Sequence, residues 1–179
     1  MVSLKRPGYS KVRLLSGSLA AALLLAAAGD AAAATVTSTI MVSVTLASTC
    51  TISANPLSFG TYQPGQGSAS ASTTVAIRCS SGAPFSVALN GGTGGGSVAQ
   101  RLMSMGASRL QYNLYTTAAH TAVWGDGTQS TATVSGVGRG FAGGAAVTQT
   151  VYGQIPDSPA NLALAPGLYT DVITVTVSY

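Results

Sequence analysis

The chain has 179 residues, 46% of them hydrophobic and only 7% charged, with a net charge of +4 at pH 7. Half of the eight basic side chains, Lys5, Arg6, Lys11 and Arg13, stand in the first 13 positions, so the basic balance belongs to a short head and not to a surface for nucleic acid. Beyond position 34 four arginines (Arg78, Arg101, Arg109, Arg139) face three aspartates (Asp126, Asp157, Asp171), a net of +1, with no lysine, no glutamate and the single histidine His120; few groups remain for acid–base catalysis, and an enzyme is not expected.

Taken in order, the basic head is followed by the apolar run LLSGSLAAALLLAAA and small residues, the pattern of a secretory signal peptide over 1–34, cleaved after about Ala34 or earlier after Ala28. The run is shorter than the roughly 20 residues a membrane span needs. From Thr35 to Ile52 apolar residues occupy the even positions Val36, Ile40, Val42, Val44 and Leu46, then Cys50 and Ile52, while the odd positions are mainly Thr and Ser, with Met41 the exception. That alternation predicts a strand with one buried face. At about 3.3 Å per residue it would extend roughly 56 Å, longer than the roughly 40 Å diameter of a domain of this size. The strand therefore either bends and crosses between sheets, or its first half projects and packs elsewhere.

Short runs rich in β-branched and aromatic residues follow: TTVAIRC, FSVALN, RLQYNLYTT, TATVSGV, TQTVYGQI and YTDVITVTVSY. Between them lie NPLSFGTYQPGQG, NGGTGGG, WGDGTQ and PDSPANLALAPG, all rich in turn formers. The pattern predicts an all-β antiparallel sandwich in one domain. Asp126-Gly127 predicts a primed two-residue hairpin turn, and SVAQRLMSMGASRL could hold a helical turn. Cys50 and Cys79 stand 29 apart, and in an exported chain a disulfide is their natural pairing. A metal site is the rival use, but two cysteines with one distant histidine make a poor zinc set. The final stretch places Tyr169, Ile173, Val175, Val177 and Tyr179 on one face and stops in mid-pattern. With no further strand, an apolar edge would lie open to another chain.

Motifs that suggest chemistry are weak in context. Gly138, Gly140 and Gly143 form a lone GxGxxG without a convincing helix after it, and Asp157 lies between two prolines in a turn. His120 has no nucleophile elbow to serve and reads as an exposed loop residue. Trp124 is expected to cover one end of the sandwich rather than to stack on a sugar. The aspartates are too scattered for an evident calcium loop, and the isolated arginines suit solvated faces. No cofactor and no metal are expected.

CTISANPLSFGTYQPG, RLQYNLYTTAAHTAVWGDGT, TVYGQIP and APGLYTDVITVTVSY together resemble the spore coat protein U domain family, which includes subunits of archaic, Csu-type chaperone-usher pili. The last motif, a Pro-Gly turn, Tyr-x-Asp and an alternating strand, is the most specific. The resemblance implies an incomplete immunoglobulin-like sandwich that lacks its last strand and is completed by the N-terminal donor strand of a neighbouring subunit. It implies a donor segment over 35–47, with Ile40, Val42, Val44 and Leu46 inserted, and a pilin-like domain over 48–179. The acceptor groove and chaperone edge would be Ile173, Val175, Val177 and Tyr179, facing a first strand around Thr51 to Ser53, and the family disulfide maps onto Cys50 and Cys79. Implied partners are copies of the chain or related pilins, a periplasmic chaperone and an outer-membrane usher, with no nucleic acid. The expected product is a surface fibre serving adhesion or biofilm formation; a tip or free-standing adhesin, or a spore-coat component, is the alternative. The signal peptide leads directly into a donor-like strand, which favours a shaft or adaptor subunit over a two-domain tip adhesin.

Overall fold

The structure is a computed structural model that describes residues 33–143 and 146–179. The predicted signal peptide, 1–34, lies almost wholly outside the described residues. The chain divides into two units, Met1–Ser43 and Val44–Tyr179. In the first, residues 33–43 form no strand, and side chains of both parities are exposed, Met41 as well as Ile40 and Val42. The long strand expected from Thr35 to Ile52 is thus regular only at its end, where β1 spans Cys50–Ala54.

In the second unit β1 is followed by β2 (Ala69–Cys79), β3 (Pro84–Leu89), β4 (Arg101–Met105), β5 (Ser108–Tyr115), β6 (Val134–Val137), β7 (Val147–Ile155), the single helical turn α1 (Pro159–Leu162) and β8 (Val175–Ser178). One sheet has the order β1-β2-β7-β5-β4 and the other β6-β3-β8, and every ladder is antiparallel. The period-2 pattern explains the two layers: Val75 and Ile77 on β2, Phe85, Val87 and Leu89 on β3, and Leu110, Tyr112 and Leu114 on β5 turn inward and are buried, while the residues between and beside them are mostly polar or small, such as Thr74, Ala76, Ser86 and Gln111. Cys50 and Cys79 form a disulfide at directly paired positions of β1 and β2. Closing a loop of about 30 residues stabilises by roughly 3 to 4 kcal/mol on the chain-entropy account.

Several details depart from the sequence reading. The stretch expected to hold a helical turn makes β4, a tight turn and β5, and the helical turn lies instead at α1, inside a segment read as loop. Ser158 caps α1 and Pro159 fills its first position. Asn161 of α1 is fully buried and bonds Gln111 twice, accepting from its N–H (2.8 Å) and donating to its carbonyl (2.9 Å); the side-chain amide thereby stands in for a strand beside β5. Asp126-Gly127 forms no primed turn: Gly127 has φ +87°, but the Asp126 carboxylate accepts from the Thr128 N–H and hydroxyl, and the loop runs on through Gln129 and Ser130, both at positive φ. The GxGxxG stretch lies against the β2–β3 turn, where a Cβ on Gly138 would strike the backbone of Cys79 and Ser80. Trp124 is fully buried and donates Nε1–H to the Val87 carbonyl, so it presents no platform to a sugar.

Arg101 corrects the expectation of solvated arginines most sharply. It is fully buried, and its guanidinium donates to the carbonyls of Leu89, Asn90 and Trp124 and to Asn113 Oδ1, at 2.7 to 3.3 Å. All four are neutral oxygens, and burial lowers the pKa of the group from its usual value. One planar fork thus ties β4 to the end of β3, to the Trp124 segment and to β5. Replacing it strands several buried acceptors at once. Arg101→Met is expected to destabilise the domain by about 3 to 5 kcal/mol, read as a fall in the urea midpoint, and Arg101→Lys should recover less than half of it, because an ammonium cannot span four acceptors.

Candidate functional site: an open apolar cleft

β8 bonds only to β3, in the register Leu89↔Val175, Val87↔Val177 and Ser86↔Ser178, and β1 bonds only to β2. Each is the last strand of its sheet. The two strands approach each other, and beyond the last residue of β1, Ala54, and the first of β8, Val175, an apolar cleft of about 940 Å³ opens between the sheets, so the 51–53 stretch expected to face the acceptor edge does not line it. Its floor is core: Val75, Leu89, Leu110, Leu114 and Ile155 line it and are each at most 6% exposed. Its walls are half-buried. The volume is several times the roughly 150 Å³ left when one large side chain is deleted from a packed core, so the gap is not a packing defect.

The segment NPLSFGTYQPGQG, read from sequence as loop, supplies one wall. Leu57 and Phe59 lie over Gly153 of β7, where an added Cβ would come within 2.7 Å of the Phe59 ring. Phe59 also meets Tyr112 edge-on, with ring centroids 6.3 Å apart. The alternation of Leu57 and Phe59 between glycine and proline was the available signal for a covering segment.

The opposite wall is the C-terminal segment, which changes sheet as it runs. Thr170 pairs with Ser104 at the end of β4, and five residues later β8 pairs with β3. At the crossing Asp171 Oδ1 accepts from the N–H groups of Thr93 (2.6 Å), Gly94 (2.9 Å) and Val172 (2.8 Å) and from the Thr93 hydroxyl, while Oδ2 accepts from the Tyr112 hydroxyl at 2.7 Å. Burial, reinforced by that bond, pushes the Tyr112 phenol well above its usual range. Asn90 Oδ1 holds the next turn of chain through the Thr174 N–H. The glycine-rich 90–96 stretch, whose path the sequence left undetermined, is thus fixed by one carboxylate and one amide. In the sequence Asp171 stands only as the acidic residue of the Tyr-x-Asp motif, with no sign of its five donors.

The predicted acceptor residues divide. Ile173 and Val175 line the cleft, Val177 packs against the core beyond it, and Tyr179 follows β8 and is 61% exposed. The predicted donor residues Ile40, Val42, Val44 and Leu46 form no strand and are 88 to 93% exposed. His120 sits edge-on to Tyr115 and shares a 3.3 Å contact with Gln154, and among the described residues no three His, Cys, Asp or Glu side chains gather to hold a metal.

A second carboxylate fixes the loop wall. Asp157 accepts from the Tyr62 hydroxyl (2.6 Å) and from the N–H groups of Gly65 and Gly67 (2.9 and 3.1 Å). Those bonds, the phenol's first, hold its carboxyl below the usual range, while desolvation and the same bond push Tyr62 up to about 12. A carboxylate whose folded pKa is depressed stabilises above its unfolded pKa and loses that contribution as pH falls through the folded value. The loop over 62–67 should therefore loosen in acid before the core does, seen as loss of amide protection at Gly65 and Gly67, and Tyr62→Phe should move the Asp157 titration, followed by carbonyl NMR, back up toward pH 4.

Two comparisons bear on this arrangement. The sequence model of a family described as the Spore Coat Protein U domain matches residues 36–176. Among solved structures the chain is similar in fold to a chain of the CsuC-CsuE chaperone-tip adhesion subunit pre-assembly complex from archaic chaperone-usher Csu pili of Acinetobacter baumannii, with a TM-score of 0.51 and 23% sequence identity. That match covers 75% of this chain but 41% of the other, so this chain spans under half the length of its counterpart. A search of curated proteins gave no match.

Proposed function

The chain belongs to the Spore Coat Protein U domain family, and from that premise we propose that it is a structural subunit of a surface fibre assembled by β-strand addition between copies. One observation carries the reading: the domain holds an open apolar cleft between its sheets, reached by Ala54 of β1 and Val175 of β8, and the same chain carries an alternating apolar segment that forms no strand among the described residues. In a strand, side chains two apart lie about 6.6 Å from each other on one face, so Ile40, Val42, Val44 and Leu46 present four aliphatic groups to successive positions along the cleft. Main-chain bonds to the free edges of β8 and β1 would provide adhesion, and the buried side chains register.

The donor segment of one copy fills the cleft of the next, and each copy offers one of each. Burying a large aliphatic side chain is worth about 1.5 to 3 kcal/mol, and ordering the donor costs about 1 to 2 kcal/mol per residue. Backbone pairing and tight packing must supply the surplus. A subunit with its cleft open exposes apolar surface and needs a holder before assembly. The chaperone-subunit complex named for the similar structure supports a periplasmic chaperone as that holder, and an outer-membrane usher and a cell-surface fibre complete the route. Such a fibre would serve adhesion or biofilm formation.

Deleting Thr35 to Leu46 from the mature protein should abolish SDS-resistant ladders and leave a monomer of lowered thermal stability. A synthetic peptide of those residues should bind the truncated monomer and restore its melting temperature, and the same peptide carrying Val42→Asp and Val44→Asp should not. If intact and truncated proteins are equally stable monomers, a self-contained domain with a binding role replaces the fibre reading.

A further inference from the structure

Resting on that assembly reading, the next question is which ends of two neighbouring copies meet. The disulfide marks one end of the domain: Cys50 begins β1, Cys79 ends β2, and the 80–83 turn bonds to the 138–140 loop through Gly82 N–H to Gly138 O and Gly140 N–H to Cys79 O. The opposite end holds the last residue of β3, whose N–H bonds the Gly125 carbonyl, the start of β8 opposite it, and the close of β7 at Ile155, paired with the start of β2.

The few side-chain charges outside the signal region are unevenly divided between these ends. Arg78, one residue before Cys79, and Arg139, in the loop that bonds Cys79, are both exposed at the disulfide end. Asp126, beside Gly125, is exposed at the opposite end, with Asp157 two residues past Ile155 and Asp171 near Asn90. Two arginines stand at the aspartate end as well: exposed Arg109, at the start of β5 beyond Ile155, turns back on the carbonyls of Gly106 and Ser108, and buried Arg101 reaches Leu89, Asn90 and Trp124, so three aspartates outnumber two arginines there.

The proposed donor leads into β1, and therefore into the disulfide end of its own domain, with only Ala47, Ser48 and Thr49 between Leu46 and Cys50. Every ladder in the domain is antiparallel. β1 and β8 run in opposite senses, so a donor between them is antiparallel to one and parallel to the other; one antiparallel to β8 runs from the disulfide end of the acceptor to its Asp126 end. It leaves the cleft there, and at full extension the link spans at most about 14 Å. The disulfide end of one copy is thus tethered to the aspartate end of the next, and charges there interact over roughly 8 Å at physiological salt and further at lower salt. Insertion parallel to β8 would instead set arginine end against arginine end.

We propose that this imbalance is a junction lock: Arg78 and Arg139 of one copy face the aspartate end of the adjoining copy, at Asp126, and the attraction selects head-to-tail docking and speeds it. The partner surface is a second copy of this chain.

The test compares self-association of the purified mature protein, by light scattering and SDS ladder, with uptake of the Thr35–Leu46 peptide by truncated monomers carrying the same substitutions. Arg139→Asp and Asp126→Arg should each slow self-association about 3- to 10-fold at 50 mM salt and converge with the unsubstituted protein at 500 mM. An equimolar mixture of the two variants, or both substitutions in one chain, should recover the original rate, because opposite charges again meet at each junction. Peptide uptake should be unchanged throughout, since a free peptide brings no domain to the junction. Salt-independent association, single variants as fast as the original, or a mixture that fails to recover would overturn the lock while leaving strand addition standing. Failure of the unsubstituted truncated protein to take up peptide would instead overturn the assembly reading on which the lock rests.

Discussion

A two-layer β domain must cover the inner faces of both its sheets, and here the layers fail to meet along one side. Val75, Leu89, Leu110, Leu114 and Ile155 form a floor, β1 and β8 end the two sheets, and no described strand lies over the gap between them. Apolar surface left in water weighs against the folded state in proportion to its area, and terminal strands present unpaired backbone groups. Both features invite the same remedy, an added strand with apolar residues at alternate positions. The chain carries such a sequence at Ile40, Val42, Val44 and Leu46 without using it in its own sheets.

An open cleft can receive a strand only if it does not collapse, and polar side chains supply the rigidity that a full core would otherwise give. Arg101 reaches four neutral oxygens on separate segments, and Asp171 fixes the point at which the C-terminal segment passes from β4 to β3. Asn161 bonds the edge of β5 where its pairing with β7 has not yet begun. Each group is saturated, and no buried side-chain polar atom among the described residues lacks a partner. Such networks are costly when half-made and specifying when complete. They explain how a domain with few charges places two of them, Arg101 and Asp171, in the interior or near it.

The legible parts of this chain are those governed by a period of two. TTVAIRC, FSVALN, RLQYNLYTT and TQTVYGQI became β2, β3, β5 and β7 because an alternating pattern has one low-energy way to bury its apolar set. A related limit applied at Thr35 to Ile52: a rise per residue is fixed and a domain diameter bounds it, so one straight strand could not fit, and the regular strand there is β1. What stayed hidden depends on partners distant in sequence. Arg101 looks like any surface arginine until carbonyls from Leu89, Asn90 and Trp124 converge on it, and Asp171 looks like a strand-edge residue until the 93–94 backbone arrives. The hairpin expected at Asp126-Gly127 failed through a local competitor, since Thr128 offers the aspartate two donors and draws the chain into a wider loop. The helical turn at α1 was legible in part, for Ser158-Pro159 is a start signal, but four residues carry no period to detect.

The same economy shapes the proposed fibre. With so few charged groups on the mature surface, solvation rests largely on Ser, Thr, Asn and Gln, and little long-range repulsion opposes contact between copies. Specific docking then needs either large complementary apolar faces, which would aggregate before assembly, or a small number of well-placed charges. The segregation of Arg78 and Arg139 from Asp126 meets the second requirement at low cost, because a link of three residues supplies the proximity that such weak forces need. Strand insertion would hold the copies together, and charge would decide how they face.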